Sequence, residues 1–213
     1  MVTGGGSMAR VLVYFAHPGR RYSRANLSMA EAVNHLAGVT FVDLYELYPR
    51  HDIEIEDEQA RLVEHDVIIF QFPLFWYSTP SLLKEWMDLV LEHGFAYGSG
   101  GEALKDKIFM CAVTASSPED AYSPDGFQNH SLRTFLTPLE QTARLCQMRH
   151  LPPYVLFESL VASEDDRLPD HVKGYKALIM ALREERYDCD RAGELDLVQA
   201  RDLEALVRDG ETA

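Results

Sequence analysis

Five short apolar runs, separated by segments of helical periodicity, constrain the fold of this chain more than any other feature of its sequence. The third run, DVIIFQF, is apolar on both faces, which is typical of a central strand in a parallel sheet. Strands that alternate with helices predict parallel βαβ units with right-handed crossovers, and therefore an α/β fold with a doubly wound sheet and helices on both faces. The predicted strands span 10–16, 39–44, 66–72, 107–115 and 154–161.

The segments between the strands predict helices. The first has apolar residues at helical spacing from Leu27 to Ala37, and the others fall at 56–65, from Pro80 onward, at 131–146 and at 169–187. Pro138 lies inside the fourth helix, where its ring should kink the helix or start a new first turn. We expect one folded domain over residues 10–187, preceded by a vector-derived or disordered leader (1–9) and followed by an acidic tail (188–213) that forms a loosely amphipathic, solvent-facing helix.

Composition narrows the function. A chain of 213 residues, 46% of them apolar, can bury a core as one domain. The 20 basic residues against 34 acidic ones give a net charge of −14, which argues against nucleic-acid binding and against resting on anionic lipid. Three separated cysteines without metal-ligand spacing predict free thiols in a reducing cytoplasm and no metal site. No apolar run approaches the roughly 20 residues that span a bilayer, so no membrane insertion is expected.

Ligands of an open parallel α/β sheet bind beyond the carboxyl ends of its strands. The loop after the first predicted strand, HPGRRYSRAN, lacks the glycine patterns of dinucleotide and triphosphate sites. Its His17, Ser23 and Asn26, together with arginines 20, 21 and 24 and the start of a helix, suit a phosphate dianion. The alternative is that Ser23 serves only as the N-cap of the helix and that the arginines are solvated and bind no ligand.

The loop after the third predicted strand, PLFWYSTP, places Trp76 and Tyr77 on a lip between a strand and a helix. A flat conjugated ligand would use these rings as wall and floor, because aromatic contact buries a large area at little cost in rotamer entropy. Backbone N–H groups of the loop could reach the polar edge of such a ligand. The alternative is that Trp76 packs back onto the following helix, as buried aromatics commonly do.

Several motifs together resemble a known family. FAHP after the first strand, FQFPLFWYSTPSLLKEWMD, HGFAYG, and a threonine turn followed by a tyrosine are similar to the flavodoxin-like NAD(P)H:quinone oxidoreductases. LYELYP and RHLPPY resemble one branch, the ancillary proteins of bacterial glutathione-gated potassium efflux systems. The resemblance implies a five-stranded sheet in the order 2-1-3-4-5 and FMN rather than FAD. It also implies two-electron hydride transfer from NADPH or NADH to a quinone, by a ping-pong mechanism in one pocket.

The same resemblance implies roles for individual positions. The flavin phosphate would be held by the first loop, at His17, Ser23, Arg24, Ala25 and Asn26. The isoalloxazine ring would be cradled by Pro73, Leu74, Phe75, Trp76 and Tyr77. The pyrimidine side of the ring would meet the turn after the fourth strand, at Thr114, Ala115, Ser116 and Ser117, with Tyr122 beyond it. Tyr97 would line the substrate side across the interface of a homodimer.

Two departures from the family pattern affect the catalytic assignment. Relatives carry glycines where this chain has Ala115, Ser116 and Ser117, so side chains are expected to crowd the flavin edge. The family's active-site histidine falls on Asn129, with His130 beside it, and a shift of one residue would restore the match. The predicted catalytic residues are therefore Tyr122 with either Asn129 or His130. An isolated His130 could equally be a surface histidine.

Two other functions remain open at this point. The chain could be a regulatory subunit that docks on the cytoplasmic domain of a potassium efflux transporter, at the inner face of the membrane, with the acidic tail as a docking or dimerisation element. It could also reduce azo or nitro aromatics, which use the same pocket and the same hydride chemistry. Sequence does not separate these acceptors from quinones, nor NADH from NADPH.

Overall fold

A parallel sheet with helices on both faces forms the centre of the computed structural model, which describes residues 8–19 and 22–208. The strands are β1 (Val11–Phe15), β2 (Val39–Asp43), β3 (Val67–Pro73), β4 (Ile108–Thr114), β5 (Arg149–His150) and β6 (Tyr154–Leu156). β5 and β6 are successive pieces of one edge strand, because both pair with β4. The order β2-β1-β3-β4-β5 confirms the predicted flavodoxin-like α/β topology.

The helices follow the predicted positions with a few differences. They are α1 (Arg24–Val33), α2 (Leu44–Leu47), α3 (Ile55–Val63), α4 (Ser81–Val90), α5 (Leu132–Leu145), α6 (Arg167–Arg183), α7 (Cys189–Gly193) and α8 (Leu203–Leu206). α5 runs through Pro138 without a new first turn. The Thr137 hydroxyl donates to the Thr134 carbonyl at 2.9 Å, the acceptor that an N–H at position 138 would otherwise use.

The predicted strand over 154–161 is wrong beyond Leu156. Glu158 adopts φ 50°, in the left-handed region, which ends the extended conformation. Its N–H then donates to the carbonyl of Ser117 at 3.1 Å, and the N–H of Ser159 donates to that of Ala115 at 2.9 Å. The chain after β6 is therefore tied to the turn that follows β4.

Two apolar layers sandwich the sheet. Ile68 and Phe70 of β3 face α2 to α5, whereas Val67 and Ile69 face α1 and α6. Every residue of β3 is buried, as its two-sided apolar pattern predicts. β1, β3 and β4 end at nearly the same level, so the loops that follow them meet at one edge of the sheet.

Residues 188–208, the C-terminal segment, do not form the single solvent-facing helix expected from the sequence. They comprise α7, a 3₁₀ turn at Ala200–Asp202 and α8. Val198 lies beside β6: its N–H donates to the Pro153 carbonyl and its carbonyl accepts from the Val155 N–H, both at 2.9 Å. The segment covers the sheet edge and belongs to the packed domain. Its buried apolar side chains are Ala192, Val198, Leu203 and Leu206.

The leader expected over 1–9 falls mainly on residues 1–7, which lie outside the described residues. Ala9 itself is attached to the domain, since its N–H donates to the Arg183 carbonyl at 2.8 Å. No helix in residues 8–19 or 22–208 combines the length and the apolar character needed to cross a bilayer.

Acid should destabilise this fold through His171. The side chain lies on α6, is 3% exposed and stacks on Tyr154 at 4.3 Å, and its burial lowers its pKa to about 3. An unfolded histidine titrates near 6.5, so below that pH the unfolded state binds the extra proton. The contribution of His171 to the free energy of unfolding is therefore complete above about pH 6.5. It falls by about 1.4 kcal/mol per pH unit as the pH drops from 6.5 toward 3.

Urea unfolding at several pH values measures this loss. His171→Phe keeps an aromatic ring but removes the titration, so the variant should lose about 2 kcal/mol less than the wild type between pH 7 and pH 5. Some acid sensitivity should persist, because burial also lowers the pKa values of His17, His65 and His150. The exposed His35→Gln is the matched control and should follow the wild type. Equal losses in His171→Phe and wild type would contradict the prediction.

Candidate functional site

A cleft of about 490 Å³ lies at the carboxyl ends of β1, β3 and β4. From the loop after β1 it is lined by His17, Ser23, Arg24, Ala25 and Asn26. The loop after β3 contributes Pro73, Leu74 and Phe75, and the turn after β4 contributes Thr114 and Ser116. Ten predicted cofactor residues thus meet in one cleft. A larger cavity of about 650 Å³, between α6 and the C-terminal segment, includes none of the predicted site residues.

The first turn of α1 presents to the cleft hydrogen-bond donors that no described residue accepts from. Ser23 occupies the N-cap position, but its hydroxyl makes no capping hydrogen bond. The N–H groups of residues 24 to 26 find no acceptor within the described part of the chain. Free N–H groups and the positive end of the helix dipole favour an anion at this point. Arg20 and Arg21, which the phosphate interpretation also invoked, lie outside the described residues.

His17 adds a neutral donor to the same end of the cleft. Its side chain is buried, and burial lowers its pKa, so the imidazole is uncharged near neutral pH. The Nδ1 atom accepts a hydrogen bond from the Gly19 N–H at 3.1 Å, which places the ring proton on Nε2. The ring meets Phe75 edge-on at 5.5 Å. His17 can therefore donate to an anion without adding a charge that must be desolvated.

Gln71, which sequence reasoning missed, holds two sides of the cleft together. It is fully buried in β3, and its Nε2 donates to the Asn26 carbonyl at 2.8 Å. The Asn26 side-chain amide donates in turn to the Thr114 hydroxyl at 2.8 Å. These bonds join α1, β3 and β4 beneath the cleft. The signal available in the sequence was a single amide within an otherwise apolar central strand.

The Phe75–Ser78 turn has an unusual backbone. The N–H and carbonyl of Phe75 exchange hydrogen bonds with those of Ser78 at 3.1 and 3.0 Å, which closes a two-residue turn. Trp76 and Tyr77 at its centre have φ values of 46° and 64°, a region that bulky residues rarely occupy. Such strain, of order 1–3 kcal/mol per residue, is typical of functional sites.

The turn holds the Trp76 ring 92% exposed, so the alternative in which it packs onto α4 is wrong. Neither Trp76 nor Tyr77 lines the 490 Å³ cleft; both stand on its lip. Their N–H groups have no acceptor among residues 8–19 and 22–208. The lip therefore offers an exposed indole and two unused donors beside the cleft.

The turn after β4 is only partly available to a ligand. Ala115 is buried in the core and its N–H donates to the Leu156 carbonyl at 2.8 Å, so this residue neither crowds the cleft nor offers a donor to it. Ser116 lines the cleft, whereas the Ser117 hydroxyl accepts from the Gln128 amide at 3.0 Å. Of the three side chains expected to crowd the flavin edge, Ala115, Ser116 and Ser117, only Ser116 lines the cleft.

The predicted catalytic residues lie beyond this turn. Asn129 has φ 58°, and its side-chain amide donates to the carbonyl of Phe127 at 3.1 Å, which makes it a turn residue. His130 packs edge-on against Phe135 at 5.8 Å, and Tyr122 also contacts Phe135. Burial raises the pKa of Tyr122. The structure therefore brings His130 and Tyr122 to one aromatic cluster, which does not include the Asn129 side chain.

Tyr97, predicted on the substrate side, follows α4 and does not line the cleft of its own chain. It is half-buried, and its ring meets His93 at 5.6 Å in an edge-to-face contact.

Comparison with known proteins decides the family. The family model for the flavodoxin-like fold matches residues 9–179. The chain belongs to the flavodoxin-like fold family. Within it, the chain is 44% identical over 168 residues to the glutathione-regulated potassium-efflux system ancillary protein KefG of Cronobacter sakazakii. This match covers 79% of our chain and 91% of the relative, and it confirms the family resemblance deduced from the motifs.

Two solved members of the flavodoxin-like family are also similar. General stress protein 14 of Treponema denticola, in complex with FMN, is 34% identical with a TM-score of 0.77, over 81% of this chain and 99% of that one. An NADPH-quinone reductase of P. pentosaceus is 29% identical with a TM-score of 0.70, over 79% and 96%.

Proposed function

We propose that this protein is an FMN-dependent NAD(P)H:quinone oxidoreductase. The observation that carries the proposal is a set of donors at the cleft that the described residues leave without an acceptor: the N–H groups of the first turn of α1, the Ser23 hydroxyl, which makes no capping hydrogen bond, and neutral His17. The solved relative in complex with FMN and the relative described as an NADPH-quinone reductase support the same cofactor and chemistry. FMN is preferred to FAD on the family resemblance.

The residues present fit FMN. Ser23, Asn26 and His17 would hold the phosphate, and Gln71 would keep the first turn of α1 in register with β3. Donors on the lip and on the turn after β4 would reach the polar edge of the ring, with Trp76 beside its face. Bound FMN would supply the ring that takes two electrons as hydride from NADPH or NADH and returns them to a quinone in a ping-pong cycle.

Two side chains would serve the acceptor. Tyr122 and His130 carry O–H and N–H donors that can stabilise the oxygen on which charge develops during quinone reduction. We assign this role to His130 rather than to Asn129, because His130 and Tyr122 both contact Phe135, whereas the Asn129 amide is turned back onto the carbonyl of Phe127. Tyr97 would act from the partner subunit of a homodimer, so a monomeric mass in solution would remove its role.

An absorption spectrum of the purified protein after incubation with FMN tests the proposal. We expect a bound flavin spectrum that NADPH bleaches under anaerobic conditions and that a simple quinone restores. Initial rates at several fixed quinone concentrations should give parallel double-reciprocal lines, since one pocket serves both substrates in turn. Failure to bind FMN at saturating concentration would overturn the cofactor, and intersecting lines would overturn the shared pocket. Chromatography of flavin released from the native protein by heat separates FMN from FAD.

Trp76→Ala should weaken FMN binding and leave folding unchanged. The exposed indole contributes little to the folded apo-protein, so the free energy of unfolding should stay within about 0.5 kcal/mol. Loss of its contact with the flavin should cost about 1–3 kcal/mol of binding, a rise in Kd of about 5- to 150-fold, measured by quenching of FMN fluorescence.

Phe127→Ala is the matched control for this experiment. Phe127 is also an exposed aromatic residue, but it lies neither in the cleft nor on the lip formed by the Phe75–Ser78 turn, so its removal should leave FMN affinity near that of the wild type. Unchanged affinity in Trp76→Ala would remove the indole from the site.

The similarity to KefG supports a second role, as an ancillary subunit that docks at the inner face of the membrane on a potassium efflux transporter. The apolar side of the C-terminal segment is packed on its own domain, so docking would have to use its exposed carboxylates. Co-purification of the full chain with such a transporter, reduced by Glu194→Gln with Glu204→Gln, would support this role. Rapid quinone turnover by the isolated protein would support the enzymatic role. Rates measured with azo and nitro aromatics in place of the quinone show which class of acceptor the protein reduces fastest.

A further inference from the structure

Phe135 contacts three aromatic side chains that arrive from separate parts of the chain. Its ring lies 4.9 Å from Tyr77, tilted by 35°, and 5.8 Å from His130 at 90°. Tyr122 approaches it at 6.3 Å and 78°. These spacings fall within the range of favourable offset and edge-to-face aromatic contacts.

The ring of Phe135 projects from a rigid element. On α5, Leu132, Leu136 and Leu139 are buried against the sheet, and the hydroxyl of the N-cap residue Ser131 accepts from the Thr134 N–H at 3.3 Å. Phe135 itself is half-buried, on the part of α5 nearest the candidate site. A side chain fixed in this way can orient groups that lie on loops.

Its three partners lie on less regular backbone. Tyr77 belongs to the strained turn at Phe75–Ser78, and His130 ends the loop that precedes α5. Tyr122 follows a single 3₁₀ turn, and its ring also meets Phe157 at 5.6 Å. The rings of Phe135 and Phe157 thus both contact Tyr122, and the Phe135 ring also contacts those of His130 and Tyr77.

We propose that Phe135 is a positioning residue that fixes Tyr77, Tyr122 and His130 as one wall on the acceptor side of the site. The chemical consequence rests on the proposed function, whereas the geometric claim does not. Tyr122 and His130 can donate to an acceptor oxygen only if their donor atoms converge on it, and a misplacement of about 1 Å can cost about 100-fold in rate. Phe135 touches neither substrate nor cofactor in this arrangement and acts through the three side chains.

Nuclear magnetic resonance of the flavin-free protein tests the geometry. The ring protons of His130 and Tyr77 should be shifted by the ring current of Phe135 in the wild type, and should move toward random-coil positions in Phe135→Leu. Phe135→Tyr retains the ring and should retain the shifts. Leu145→Ala, an exposed change on the same helix, should leave them unchanged. Random-coil positions for both residues in the wild type, or no change in Phe135→Leu, would overturn the proposal.

Rapid-mixing kinetics of the FMN-loaded protein test the consequence. In Phe135→Leu, reoxidation by benzoquinone should slow about tenfold or more, while reduction by NADPH and the Kd for FMN stay within about threefold. An equal slowing of both half-reactions, accompanied by a lower unfolding midpoint, would indicate a merely structural role and contradict the proposal. Should the wild type neither bind FMN nor turn over quinone, the proposed function fails, whereas the resonance shifts still decide the geometry.

Discussion

Deletion of residues 188–213 should lower the free energy of unfolding by about 5 kcal/mol or more. Four apolar side chains of the C-terminal segment are at most 5% exposed, namely Ala192, Val198, Leu203 and Leu206. Burial of each of the three larger side chains is worth about 1.5–3 kcal/mol relative to exposure. The deletion also bares Tyr154 and Tyr175 on the domain side, and leaves the edge of β6 unpaired.

Gly174 of α6 shows how tightly the C-terminal segment packs against that helix. A Cβ atom there would lie 2.5 Å from the Tyr154 hydroxyl oxygen, 3.0 Å from the Ala200 Cβ and 3.1 Å from the Leu203 Cδ1. Gly174→Ala should therefore push the segment away from α6 and destabilise the domain, although the same change in an open helix would stabilise it by about 1 kcal/mol. Its effect should have the same sign as the deletion and a smaller size.

Urea unfolding and size-exclusion chromatography measure the effect of the deletion. The truncated chain should unfold at a lower midpoint and associate through the bared strand edge. Glu194→Gln together with Glu204→Gln provides the control, because it removes charge from the segment without touching the buried side chains, and should change stability by less than about 0.5 kcal/mol. An unchanged midpoint after deletion would mean that the segment is the solvent-facing tail that its composition suggests.

The positions of the strands and of most helices could be predicted from the sequence because their signals are local, and the order of the strands could be predicted from the family resemblance. Apolar strand runs and helical periodicity are each visible within a short window of consecutive residues. The C-terminal segment was misjudged because its buried residues are spaced six, five and three apart, which fits neither a helix nor a strand. Its burial comes from tertiary contacts with α6 and β6, such as those of Ala200 and Leu203 with Gly174, which local periodicity does not report.

The candidate site divides in the same way. Polar residues of the loop after β1 could be assigned from their type and position, and they do meet in the cleft. The turn at Trp76 and Tyr77 could not, because two positive φ values are normally signalled by Gly or Asn rather than by aromatic residues. Our proposal of His130 over Asn129 rests on which side chain the loop turns toward Phe135, and spacing carries no such information.

Glu58→Gln should destabilise the protein by about 3–5 kcal/mol, although the two side chains have nearly the same shape. The Glu58 carboxylate is fully buried on α3 and accepts four hydrogen bonds. One oxygen accepts from the Tyr14 hydroxyl and from Trp86 Nε1 at 3.0 Å. The other accepts from the Tyr48 hydroxyl at 2.7 Å and from the Arg61 guanidinium at 3.0 Å. The carboxylate thus joins β1, α3 and α4 on the face of the sheet that packs against α2 to α5.

An amide cannot replace this acceptor in either orientation. The tyrosine hydroxyls can rotate to accept a hydrogen bond, but Trp86 Nε1 and the Arg61 guanidinium can only donate. Whichever oxygen becomes NH₂ therefore faces one of these obligate donors, and a buried donor without an acceptor costs about 1–3 kcal/mol, more when it is charged. Glu56→Gln, exposed on the same helix, is the matched control and should be nearly neutral. A loss of less than about 1 kcal/mol for Glu58→Gln in urea unfolding would mean that the four donors find other acceptors, and that the carboxylate does not hold β1 to α3 and α4.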